Sequence, residues 1–225
     1  METNLLIERL TSDCRPVNCL RCPARRTATW LAISAPYVAL MEFLSPGAHF
    51  MAMVDDPRFL IEQAAALLTT IAAAFAAFAV TIPGYDRRIL LLPVPPLLVW
   101  LGALAAGSAD ELLRDGFAGL WLRGEWFCVR WILTIGAAPA LVLAYMLRKG
   151  APMAPYATAA LGGLAAASLG QFGLRLFFAE EVSVLLVVWH VGAVIAISAA
   201  AGWVGRQWMC WRAVTASMRR KLAAP

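Results

Sequence analysis

Six stretches of the chain are long and apolar enough to cross a lipid bilayer, and few folds are compatible with that. They are residues 28–44, 59–82, 89–107, 127–147, 155–177 and 182–208. A spanning helix takes about 20 mostly apolar residues. Backbone groups in hydrocarbon must be satisfied internally, which leaves helices or a closed barrel. These runs are continuous and rich in Ala and Leu, without the period-two alternation of barrel strands. Only 15% of the residues are charged, against about a quarter in a soluble domain. The expected fold is an all-α integral membrane protein, a six-transmembrane-helix bundle.

The charges are sorted by loop. If successive loops alternate sides, one side holds the amino-terminal arm, the 2–3 and 4–5 loops and the carboxy-terminal end. Fourteen of the 19 Lys and Arg residues fall there, including Arg87, Arg88, Arg148 and Lys149. The other side has Arg58, Arg114, Arg123, Arg130 and Arg175, with most of the acids. Positively charged loops stay inside, so both termini are expected in the cytoplasm. The first 26 residues lack the apolar core of a secretory signal, so the first span is expected to be a retained anchor. Three parts follow: an arm (1–27), a transmembrane domain (28–208) and a basic tail (209–225). Cys14, Cys19, Cys22 and Cys210 then face the reducing side, and Cys128 alone faces out.

In the arm, Leu6, Ile7 and Leu10 recur at helical spacing, with Glu8 and Arg9 opposite and Thr3 or Asn4 available as a cap. The helix should end before Arg15-Pro16, since a residue ahead of proline prefers extended geometry. So short a helix is marginal alone in water. It is stabilised either by the bilayer surface or by a protein partner. Arg21, Arg25 and Arg26 are placed at anionic headgroups. Asp56-Pro57 reads as a helix start and Pro83-Gly84 as a turn. Pro93, Pro95 and Pro96 should kink or partly unwind the start of the third span. The second outer loop, 108–126, is long and acidic. Gly162, Ala166 and Gly170 recur every four residues, which lets another helix approach closely. That helix is expected within the bundle, although a second protomer is left open.

Some residues suggest metal chemistry. Cys14, Cys19 and Cys22 have C-x4-C-x2-C spacing, and C-x2-C suits zinc. The fourth ligand would have to be Asp13, Cys210 or a second chain, so reduced surface thiols are the plainer reading. His49, Met51 and Met53 form an H-x-M-x-M string of soft ligands suited to Cu(I) or Ag(I). Packing against lipid or the bundle is the plainer reading there. His190, in mid-span, is expected to hydrogen-bond Ser168 or Gln171 rather than hold a cofactor, because haem ligation of the b type needs paired histidines. Arg175 is expected to reach the outer interface or to pair with Glu180 or Glu181. No nucleophile–base set, phosphate loop or zinc-protease motif is present, so no enzyme and no cofactor are expected. From the residues alone, a small transporter or an envelope metal- or redox-handling protein stands beside a regulator.

Several local motifs follow one another in a set order: Arg15-Pro16-Val17, Asp56-Pro57-Arg58-Phe59-Leu60, Val94-Pro95-Pro96, Glu125-Trp126-Phe127-Cys128, Arg148-Lys149-Gly150-Ala151-Pro152, Leu161-Gly162-Gly163 with Gly170, and Trp189-His190. That ordered set resembles the NrsF family of six-span membrane anti-sigma factors. The resemblance implies an arm that holds an extracytoplasmic-function sigma factor at the bacterial inner membrane, without touching nucleic acid. Metal or oxidant stress in the envelope would release it. It places the contact at Leu6, Ile7, Leu10, Arg15, Pro16 and Val17. Family members that sense through cysteines have one at the start of span 4 and one in the 5–6 loop. Cys128 matches the first; Leu176 to Glu181 occupies the second place without a cysteine. An intramolecular disulfide switch is thereby put in doubt. Cys128 is left to pair between protomers, to become oxidised or to bind a soft metal.

Overall fold

The computed structural model describes residues 3, 7, 11, 20–44, 56–115, 126–150, 154–177, 192, 195, 196 and 198–204. All regular structure among them is helical. The elements are α1 (Pro23–Leu44), α2 (Pro57–Ala79), a 3-10 turn (Arg87–Leu91), α3 (Val94–Asp115), α4 (Trp126–Arg148) and α5 (Pro155–Phe177). Residues 198–204 are also helical. Among the described residues, three stretches are long and apolar enough to cross a membrane: Pro57–Ala79, Arg87–Gly107 and Pro155–Leu176. Leu133–Arg148 is a shorter apolar helix. The expectation of six is thus met at three. Each of the other expected spans includes residues or side chains outside those described.

Local signals set most of the boundaries. The Asp56 carboxylate accepts from Arg58 N at 2.9 Å and caps α2, with Pro57 at the first position, where its missing N–H costs nothing. Gly84 has φ +87°, the left-handed geometry that the turn after α2 requires and that glycine tolerates. Asp86 repeats the capping pattern on Arg88 N at 3.0 Å and opens the 3-10 turn. As expected, the start of the third span is partly unwound, and its prolines lie outside or at the very beginning of the α-helix. The 3-10 turn ends ahead of Pro93, and α3 begins at Val94 with Pro95 and Pro96 in its first turn, where no intrahelical N–H is needed. The expected loop 108–126 is shorter than the sequence suggested, because α3 continues to Asp115. Ala, Glu and Leu favour helix after the apolar run has ended.

The helices run alternately up and down. Side-chain contacts tie the start of α1 to the ends of α2 and α4, a pole called here the arm end. At the far end, the start of α2 meets the end of α5. Helix α5 packs most extensively, against α2 on one side and α4 on the other, while α1 lies against α2 and α4. The larger core joins Trp30, Phe78, Ile135, Leu143, Leu147, Leu169 and Leu174 to the alanines of α2. A second cluster packs Trp100 and Leu104 of α3 on Ala65, Ala66 and Ala167. The small residues of α5 face α4 within the bundle, as expected. A Cβ on Gly136 would stand 3.1 Å from Ala166 O, and one on Gly162 would stand 3.2 Å from a Leu147 methyl.

Helix α1 is also bonded to α4. The Trp30 indole N–H donates to Pro139 O at 2.9 Å in the core, and the Tyr37 hydroxyl donates to Thr134 O at 3.0 Å. Trp30→Phe keeps a ring in the space and removes the indole donor. Hydrogen bonds between membrane helices average about 0.6 kcal/mol, so the loss should be about 1 kcal/mol or less. The check is the unfolding midpoint in mixed micelles, with Trp30→Ala falling well below Trp30→Phe because it also empties a fully buried site.

Candidate functional site

Ahead of Leu20, the arm is described at three positions. Thr3, Ile7 and Thr11 are all helical, so Thr3 lies within the helix rather than capping it. Their four-residue spacing puts them on one face, and the Thr11 hydroxyl donates back to Ile7 O at 2.8 Å. Ile7 is 53% exposed. An exposed isoleucine on a short helix is available for a partner surface. At the root of the arm, Leu20, Arg21 and Cys22 are also exposed, and the Cys22 thiol is free.

The arm joins the bundle through Arg26. The sequence placed this side chain at lipid headgroups with Arg21 and Arg25. The latter two are exposed, but Arg26 is buried. It donates to Thr81 Oγ1 at 3.0 Å and to Met146 O, and it lies over the Phe78 ring, 4.4 Å from the centroid. The Thr81 hydroxyl itself donates to Phe78 O at 2.7 Å, which leaves a lone pair for the guanidinium. Gly150, just past α4, makes room: a Cβ there would fall 2.7 Å from Thr81 Cβ. The reason Arg26 departs from its neighbours is angular. Residues 26, 27 and 30 share the face of α1 that meets α2 and α4, whereas 25, 28 and 29 point away.

The far end is closed by a charge pair. Arg175 donates from Nε to Glu62 Oε1 at 3.1 Å and from Nη2 to Glu62 Oε2 at 3.2 Å, with both side chains 7% exposed. Arg175 is thus turned into the α2–α5 seam instead of outward; Glu180 and Glu181, the other partners expected for it, lie outside the described residues. The α2–α5 contact turns it inward, and Glu62 lies opposite because the two helices are antiparallel. Two turns further along, Thr70 and Ser168 share a hydrogen bond of 2.9 Å, which gives the register. Ser168 is therefore engaged with Thr70, and His190, expected to be its partner, lies outside the described residues. Gln171 and Gln63 are buried beside this seam, with no side-chain partner among the described residues. Glu62 was legible only as a single acid in an apolar run, at a depth matching the single base of the fifth span.

Of the residues singled out in the sequence, Cys128 lies in the first turn of α4, and only its backbone is described. Leu6, Leu10, Arg15, Pro16, Val17, Cys14, Cys19, His49, Met51 and Met53 lie outside the described residues. Among the described residues, no group of three or more metal-ligating side chains converges.

Compared with known proteins, the chain matches no curated protein and no solved structure. It does match the family described as NrsF, negative regulator of sigma F, over residues 10–211. That span takes in the second half of the arm, all five described helices, the Arg26 cradle and the Glu62–Arg175 pair. The chain belongs to the NrsF family, the negative regulators of sigma F.

Proposed function

We propose that this protein is an anti-sigma factor which holds an extracytoplasmic-function sigma factor at the bacterial inner membrane and releases it on metal or oxidant stress in the envelope. The observation that carries this reading is the family match over residues 10–211. The exposed Ile7 on the arm helix supports it, since a short helix with an unpartnered apolar side chain orders readily on a partner. The reading has six spans with both termini in the cytoplasm, from the bias of Lys and Arg toward the arm side. The contact is made by Leu6, Ile7, Leu10, Arg15, Pro16 and Val17, of which Leu6 and Ile7 precede the matched span. Cys128 is the candidate reader on the outer side. A soft metal ion would meet His49, Met51 and Met53 there, and the thiols of Cys14, Cys19 and Cys22 on the inner side.

The test is co-purification of a sigma factor with the tagged full-length chain, beside a reporter for that factor. Replacing Leu6, Ile7 and Leu10 together with glutamate should abolish capture and raise the reporter roughly tenfold or more, because buried apolar anchors are often worth about 2 kcal/mol each. A reporter that stays as silent as before, with the protein still in the membrane, rules the arm out as the contact.

A further inference from the structure

The two buried arginines are held in opposite ways. Arg175 meets a carboxylate through two hydrogen bonds. Arg26 has no carboxylate partner among the described residues; it is held by a hydroxyl, a backbone carbonyl and a ring face. Its charge is offset by position instead. Thr81 lies just past the end of α2, and Met146 is in the last turn of α4. The guanidinium therefore sits on two helix carboxy-termini, each carrying roughly half a negative charge on carbonyls that lack an intrahelical partner. That compensation fades within one turn, and a buried cation without a counter-ion is always in competition with water.

We propose that Arg26 is a releasable latch through which the helix bundle sets the availability of the arm. The inference rests on the anti-sigma reading and names a regulation of that site. Arg26 lies in the first turn of α1, and its backbone N–H donates to Cys22 O at 3.1 Å, so the root of the arm follows the guanidinium. The two halves of the cradle come from different elements, Thr81 from the turn that closes α2 and Met146 from α4. Sliding α4 against α2 pulls them apart. Helix α4 also begins at the far end, at Trp126, and is bonded to α1 through Trp30 and Tyr37. A disturbance at the far end of α4 thus reaches the latch through one helix. With the latch closed, the arm meets its partner with its root already ordered. With it open, that ordering is charged to binding and affinity falls.

The test uses the full chain in lipid nanodiscs, with the other four cysteines replaced by serine and a spin label on Cys22. A parallel label at Phe43→Cys reports the far end of α1, where the native side chain is 86% exposed. Arg26→Ala should mobilise the Cys22 label and leave the Phe43 position unchanged. Thr81→Val, which keeps the side-chain shape, should do the same to a smaller degree, and Arg26→Lys should retain part of the restraint. In cells, Arg26→Ala should raise the basal sigma reporter roughly three- to tenfold at equal protein level, the scale expected when ordering of a few residues is moved into the binding step. A Cys22 label unmoved by both Arg26→Ala and Thr81→Val overturns the latch, and so does equal loosening at both label positions. Mobilisation at Cys22 without any rise of the reporter, in a chain that captures its sigma factor, overturns the regulatory role. If the label behaves as expected but the native chain captures no sigma factor, the latch stands and the anti-sigma reading falls.

Discussion

Glu62→Leu is expected to cost the bundle about 3–5 kcal/mol, because it removes the carboxylate that the buried Arg175 guanidinium meets through two hydrogen bonds. Both side chains are 7% exposed, and the pair joins α2 to α5 at the far end. In water the loss would be softened by hydration; for side chains buried between two helices that remedy is poor. The fold should respond by drawing Arg175 toward the interface, which opens the seam between α2 and α5. The variant should accumulate less in membranes and unfold at lower denaturant in mixed micelles. The double replacement Glu62→Leu with Arg175→Leu should recover most of the loss, since a buried pair exchanged for apolar side chains is often close to neutral. An equal loss in the single and double variants would show that packing, not the charge pair, is what matters at this seam.

The second large effect is expected at Gly136. A Cβ there would lie 3.1 Å from Ala166 O and 4.0 Å from Gly170 Cα, so the atoms in the way are backbone. Side chains could turn aside; a helix backbone has to move as a whole. Gly136→Ala should cost about 1 kcal/mol and Gly136→Leu about 3 kcal/mol, the upper end of ordinary overpacking. Lipid tails are as apolar as leucine, so helices in a membrane associate by close packing, and forcing α4 from α5 removes it. The contrast lies at Gly102, where nothing stands within 4 Å of an added Cβ, and Gly102→Leu should be tolerated. Unfolding midpoints of the three variants, measured side by side, check the order. A Gly136→Leu protein as stable as the native chain would mean that α4 and α5 are not held at this distance.

The apolar runs placed the helices well because hydrophobic length is a one-dimensional property. α1, α2, α4 and α5 fall on the expected segments, with ends set by Asp56-Pro57, by Pro83-Gly84 and by Pro155. The small-residue face of α5 was also legible, since a four-residue repeat is a local pattern. An error arose where hydropathy and helicity part company: past Gly107 the chain turns polar while remaining helical to Asp115. The reading that prolines unwind the start of the third span agrees with the 3-10 turn ahead of α3. The candidate contact in the arm was read from Leu6, Ile7 and Leu10, and the exposure of Ile7 is the part of that reading the structure reaches.

Residue order alone makes this chain a helical protein with membrane-length apolar segments, a small polar arm and membership in a family of negative regulators of sigma F. Composition, period and motif order are all carried along the chain, and none needs to know which helix lies beside which. The fate of the individual charges depends instead on how the helices pack. Arg25 and Arg26 are neighbours in sequence, yet one is exposed and the other rests on the carboxy-termini of α2 and α4, because a rotation of about 100° per residue turns them to different faces. Glu62 and Arg175 become partners across 113 residues for the same kind of reason. Two antiparallel helices bring matching depths together, and a buried charge is tolerated only where its counterpart arrives at the same level.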